Sequence, residues 1–136
     1  MSGRANPPQP STEEFKNYMD ECVQFLRAEG FPQVELLGSY VSYMTGLYFH
    51  RFGEKPEAKR IYACLPEVDN KFDANAIGVY SFGKRIAYVP KDLAARVAEQ
   101  FNGLSPQVLL VSYCTGYCTK RSAQCFYNLY AVPSVL

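Results

Sequence analysis

The chain has 136 residues, a length that suits one domain of ordinary size. Hydrophobic residues make up 48% and charged residues 20%, which excludes a chain left disordered for want of a core. The net charge of +1 hides an asymmetry: residues 1–54 carry four Lys/Arg against seven Asp/Glu and residues 55–136 carry ten against six, so a polyanion is expected to meet the second part.

Residues 1–11 are expected to form a disordered tail, because Pro7, Pro8 and Pro10 cannot continue a helix and no apolar face develops. Ser11 with Glu14 makes a capping-box pattern. Phe15, Tyr18, Met19, Cys22, Val23 and Leu26 then recur at helical spacing, and Gly30 supplies a stop. This predicts an amphipathic helix over 12–29, within a segment 12–30, that packs on the domain or on a protein partner.

From Val34 the pattern turns to β. Residues 34–44 are rich in Val, Leu and Tyr until Thr45-Gly46 breaks them, 47–58 read mostly as loop, and 59–66 read as a second strand. Asp69–Asn75 is a polar loop. Ala76–Tyr80 and Arg85–Val89 read as a hairpin joined by Ser81–Lys84. Pro90 can open a helix, and Leu93, Ala94, Val97, Ala98 and Phe101 give it one apolar face to about residue 102. Residues 107–114 and 124–132 are the last strands, with a turn near Thr119–Ser122. Residues 34–133 therefore read as one mainly β unit; with two helices the class is α+β, and many short strands with one internal helix predict a small barrel.

Chemistry-bearing residues are sparse. His50 is the one histidine and stands in a charged loop, and no nucleophile–base pair shows a recognisable spacing, so no catalysis and no cofactor are expected. Asp69 with Asp73 is too small a carboxylate set for a nuclease site. Cys114, Cys118 and Cys125 fit no common zinc spacing, and in a strand they read as small buried hydrophobes. No apolar run approaches the ~20 residues of a membrane span. Met1 to Thr12 lacks the apolar stretch of a secretory signal, so an intracellular or nuclear protein with no membrane partner is expected. High aromatic content, with eleven Tyr and no Trp, suits either a core or flat faces for nucleobases.

One stretch carries a resemblance. Asp69-Asn70-Lys71-Phe72-Asp73-Ala74-Asn75-Ala76-Ile77-Gly78-Val79 resembles the "N-x-[YF]-D-x-N-A-[IV]-x-V" signature of HIRAN domains. Gly83 followed by Ile86-Ala87-Tyr88-Val89-Pro90-Lys91-Asp92-Leu93-Ala94 is similar to that family's next element, and Tyr43-Met44-Thr45-Gly46 to its aromatic "Y-Y-T-G" turn. The similarity spans about residues 36–132. It implies an OB-like barrel and, as in helicase-like transcription factor and related fork-remodelling ATPases, capture of a 3′-terminal single strand of DNA. The 136 residues show no ATPase or RING segment, as expected of an isolated module or a stand-alone member.

By this resemblance Asp73 would accept the 3′-hydroxyl, a contact that a phosphate at an internal position would turn into repulsion. Phe72 would stack on the terminal base, Tyr43 would add a second aromatic contact, and Tyr88 would line the groove. Lys91 would meet a phosphate at a helix N-terminus, with Lys71 assisting. Each has a plainer role open to it. Asp73 and Asn75 can build the loop through side-chain-to-backbone bonds, the role assigned to Asn75. Phe72 can plug the core, Tyr43 and Tyr88 can be half-buried strand tyrosines, and Lys91 can be a solvated first-turn residue. The chain also departs from the family: Ser42 stands where an Arg is usual, Met44 replaces the second aromatic, and Ala87 replaces a Gly. Arg51, Arg60, Lys84 and Arg85 are available to replace the missing guanidinium. A protein-interaction module with a vestigial groove is the competing reading.

Overall fold

The structure, a computed structural model, describes residues 11–46, 60–101, 104–105, 107–118 and 123–132, without the side chains of 116–118. Residues 1–10 of the expected tail, the 47–58 loop with His50 and Arg51, the turn near 119–122 and the side chain of Cys118 lie outside the described residues.

Helix α1 (Thr12–Ala28) begins where the sequence supplies a cap: the Ser11 hydroxyl accepts the Glu14 N–H at 3.2 Å. It ends where Gly30 turns left-handed at φ +103°. The Gly30 N–H then reaches the Arg27 carbonyl, and the Phe31 N–H reaches that of Leu26 at 3.0 Å, the paired bonds of a Schellman stop.

Strands β1 (Glu35–Met44), β2 (Ile61–Pro66), β3 (Ile77–Ser81) and β4 (Lys84–Tyr88) precede helix α2 (Lys91–Phe101). Strands β5 (Val108–Cys118) and β6 (Ala123–Ala131) follow it. They form one antiparallel sheet in the order β1-β6-β5-β2-β3-β4. The sheet curls until its two edges meet at one point, where Thr45 and Tyr88 exchange backbone hydrogen bonds of 2.8 Å each. It is not closed by a ladder: β4 has only five residues, and Pro90 diverts the chain into α2 directly after it. The class is the expected α+β, and the small OB-like barrel takes the form of an open sheet.

Strand alternation sends side chains to two separate cores. The inner one gathers Met44, Tyr62, Cys64, Val79, Ala87, Leu110, Cys125, Tyr127 and Leu129 with Leu93, Ala94 and Val97 of α2. The outer one packs Cys22 and Leu26 of α1 on Val111, Tyr113, Phe126 and Tyr130. The N-terminal helix is thus docked on the sheet; burying Leu26 alone contributes about 2 kcal/mol. The Tyr18 and Tyr113 rings meet at 4.3 Å in this seam. β6 lies between the cores and is buried along nearly its whole length. Its two buried amides are satisfied: Asn128 by the Ser39 hydroxyl at 2.8 Å and the Cys22 sulfur at 3.2 Å, and the Gln124 oxygen by the Thr115 hydroxyl at 2.8 Å.

Most strand ends shift by one or two residues from the sequence reading, and two differences change the local structure. The hairpin connection is the pair Phe82-Gly83, not the four residues Ser81–Lys84. Both residues have positive φ, 51° and 77°, the type I′ geometry that matches strand twist. β5 runs on to Cys118 through a register shift after Cys114, because its pairing with β6 continues past the irregularity.

Candidate nucleic-acid interface

The backbone first brings three segments to one end of the sheet. Thr45, ending the Tyr43 turn, pairs with Tyr88 at the end of β4. Next along the chain, the Val89 N–H bonds the Ile77 carbonyl at the start of β3, and Lys91 opens α2. The loop before β3 is tied down by the Glu67 N–H to the Ala76 carbonyl and the Ala76 N–H to the Asp73 carbonyl. Tyr43, Asp73, Tyr88 and Lys91 therefore stand on segments that converge.

Asn70 shapes the loop that carries Phe72 and Asp73. Its carbonyl oxygen accepts the N–H groups of Phe72 at 2.8 Å and Asp73 at 2.9 Å, while its amide donates to Glu67 Oε1 at 3.1 Å. The loop-building role expected of Asn75 thus belongs to Asn70; Asn75 gives its N–H to Asp73 Oδ1 at 2.9 Å. Asp73 is half-buried, with one oxygen in that turn. Its Oδ2 has no hydrogen-bond or ion-pair partner among the described residues. Phe72 is 95% exposed, so it is no core plug, and Lys71 beside it is exposed too.

Glu67 joins this loop to the sheet. Besides Asn70, its carboxylate accepts the Tyr80 hydroxyl at 3.4 Å and the Arg85 guanidinium at 3.2 Å. Burial, then the Glu67 charge, pushes the Tyr80 phenol up, while Arg85 opposes the shift. The Arg85 guanidinium then lies 4.3 Å from the Tyr88 ring centre, a cation–π stack. A continuous chain of contacts therefore runs from the Asp73 loop through Asn70, Glu67 and Arg85 to Tyr88.

A β-bulge makes the last contact possible. Residues 85 and 88 should face opposite sides of a regular strand. The register passes from Tyr80↔Arg85 to Val79↔Ala87 with Ile86 as the extra residue, so Arg85 and Tyr88 share a face. Gly78 opposite leaves room for them: a Cβ there would meet the Tyr80 ring at 2.8 Å and Arg85 Cδ at 3.2 Å. Gly46, at φ +78°, likewise sits under Tyr88, whose ring would meet an added Cβ at 3.3 Å.

Of the six residues singled out in the sequence, Tyr43 and Tyr88 are half-buried and Phe72, Lys71 and Lys91 have exposed side chains or exposed positions. Lys71 and Lys91 have no carboxylate partner among the described residues. Met44, at the family's second aromatic position, is fully buried in the inner core. Glu67 was not found by sequence reasoning, and Arg85 was only one of four candidate cations; the bulge that selects it leaves no periodicity signal. Burial pushes the Cys22 thiol up to about 11 and that of Cys64 to about 12, so both stay protonated at neutral pH. Among the described residues there is no cluster of three His, Cys, Asp or Glu able to hold a metal, and no helix long and apolar enough to cross a membrane.

No protein-family model and no curated protein matches the chain by sequence. Solved structures do match by fold. The crystal structure of the HIRAN domain of human HLTF superposes with a TM-score of 0.59 at 17% identity, over 73% of this chain and 80% of that one. The NMR structure of the HLTF HIRAN domain in its DNA-bound conformation gives 0.54 at 16% identity, over 77% and 84%. Curled sheet, internal helix and docked N-terminal helix thus define a small OB-like α+β module. Its fold is HIRAN-like.

Proposed function

We propose that this protein is a non-catalytic module that binds single-stranded DNA and recognises a free 3′-hydroxyl end. The observation that carries the reading is the pairing, on one short loop, of an exposed Phe72 ring with an Asp73 carboxylate that keeps one oxygen available. A terminal base can stack on the ring while its sugar hydroxyl donates to Oδ2. Arg85 on Tyr88 offers a guanidinium and an aromatic surface nearby, and takes the place of the arginine absent at Ser42. Lys91, at the first turn of α2, adds a cation where helix amides already favour a phosphate. The match to a HIRAN domain in its DNA-bound conformation supports the same ligand class. Such an activity belongs in the nucleus, at DNA ends exposed during repair or at a stalled replication fork.

Fluorescence anisotropy with single-stranded oligonucleotides ending in a 3′-hydroxyl or a 3′-phosphate, at two salt concentrations, tests the reading. Tighter binding of the hydroxyl end is expected. Equal binding of both ends would remove end recognition, and no binding of either would remove the DNA reading.

A further inference from the structure

A second surface lies at the other end of the β3–β4 hairpin. A groove of about 780 Å³ opens between α1 and that hairpin. Phe25, Ile61 and Leu65 contribute its apolar lining, and Phe82 stands at the hairpin tip. Leu65 is 49% exposed and Phe82 is 93% exposed. Phe82 occupies the first central position of the type I′ turn at φ 51°, a place that favours Asn or Gly and strains a bulky side chain. The ring gains no burial in return. Its close neighbour is Arg60, whose guanidinium lies 5.0 Å from the Phe82 ring centre and 5.7 Å from that of Tyr62. A strained backbone that displays an unburied aromatic points to a use outside the fold.

Charge selects the occupant. Among the described residues that line it, Glu21 and Glu29 stand on the α1 wall and Arg60 on the opposite side, two carboxylates against one guanidinium. A phosphate backbone would be repelled by the α1 wall. A polypeptide with Lys or Arg beside a bulky apolar residue satisfies both features: the apolar anchor covers Phe82 and Leu65, and the cation faces Glu21 and Glu29. We propose that this groove docks a basic, apolar peptide segment of a partner protein. The groove borders the Glu67–Arg85 network, because Tyr80 belongs to both, but it holds none of Phe72, Asp73, Tyr88 or Lys91, and the proposal does not rest on the DNA reading.

The test titrates the ¹⁵N-labelled full chain with two synthetic peptides that share a Phe-Leu anchor. One is flanked by two Lys on each side, the other by two Glu. The Lys-flanked peptide is expected to shift the amides of Leu65, Phe82 and Gly83 and to bind at least tenfold tighter than the Glu-flanked one. Phe82→Asn, whose backbone suits the turn, should weaken it at least fivefold while melting no lower than the parent and binding a 3′-hydroxyl oligonucleotide as the parent does. The double variant Glu21→Gln/Glu29→Gln should abolish the preference between peptides. Failure of both peptides to move these amides, equal binding of the two, or an oligonucleotide that shifts the same amides would overturn the proposal; the last result would make the groove a nucleic-acid surface.

Discussion

Asp73 divides its two carboxylate oxygens between structure and recognition, and that division makes it testable. Oδ1 accepts the Asn75 N–H and holds the turn. An asparagine at this position keeps an oxygen for that bond but loses the charge. Asp73→Asn is therefore expected to leave the melting temperature nearly unchanged. It should reduce the preference for a 3′-hydroxyl over a 3′-phosphate end by about tenfold, the worth of roughly 1.5 kcal/mol for a hydrogen bond to a charged group. Competition between the two oligonucleotides reads the ratio, and an unaltered ratio would take Asp73 out of end recognition. Phe72 makes the complementary case. At 95% exposure it contributes little to the fold, so Phe72→Ala should shift stability by less than about 0.5 kcal/mol. If its ring carries a base, the same change weakens oligonucleotide binding by about 1 kcal/mol or more. A variant that binds as the parent does would leave the ring without that role.

At the scale of elements, the sequence spoke clearly where one short-range rule decides the outcome. Ser11 and Gly30 bound α1 because capping and a left-handed stop act within four residues. Pro90 and the apolar face after it give α2 for the same reason. The signature loop was legible as a loop, but its internal wiring was not: Asn70 and Asn75 are chemically alike, and only the fold decides which side chain turns back to Glu67. The Arg85 stack escaped because the Ile86 bulge shifts a side chain to the other face without changing the residue pattern. Gly78 shows what that stack requires. Gly78→Ala would drive a methyl into the Tyr80 ring, so the ring must move and Arg85 with it. A cost of about 1–3 kcal/mol in chemical denaturation is expected, together with weaker oligonucleotide binding. If stability and binding both stay at parental values, the close packing over Gly78 is not what holds Arg85 in place. The first turn of α2 gives a separate check: Lys91→Ala should lower the dependence of log affinity on log salt by about one ion, and an unchanged slope would exclude a phosphate contact there.

For the whole molecule, the joint between α1 and the sheet contributes to the response to alkali, alongside the Cys64 and Cys125 thiols that burial also pushes up. Cys22 sits at its centre, fully buried, with the Asn128 amide donating to its sulfur at 3.2 Å. Burial raises its pKa from 9.0 to about 11 and outweighs the Asn128 contact, which favours the thiolate. Burial chiefly raises the Tyr18 and Tyr113 phenols in the same seam as well. A thiol with a raised pKa in the folded state stays protonated after the unfolded chain has begun to ionise. Between pH 9 and 11 the unfolded chain therefore binds fewer protons at this site, so its contribution to stability is complete below about pH 9 and disappears as pH rises toward 11. Two pH units correspond to about 2.7 kcal/mol at most, a large share of a small domain's stability. Cys22→Ser keeps an acceptor for Asn128 and removes the ionisation. Denaturant melts of parent and variant should run in parallel from pH 7 to 8.5 and converge or cross as the parent loses stability toward pH 10.5. Curves that stay parallel to pH 10.5 would mean that α1 leaves the sheet, or admits water to the thiol, before Cys22 titrates.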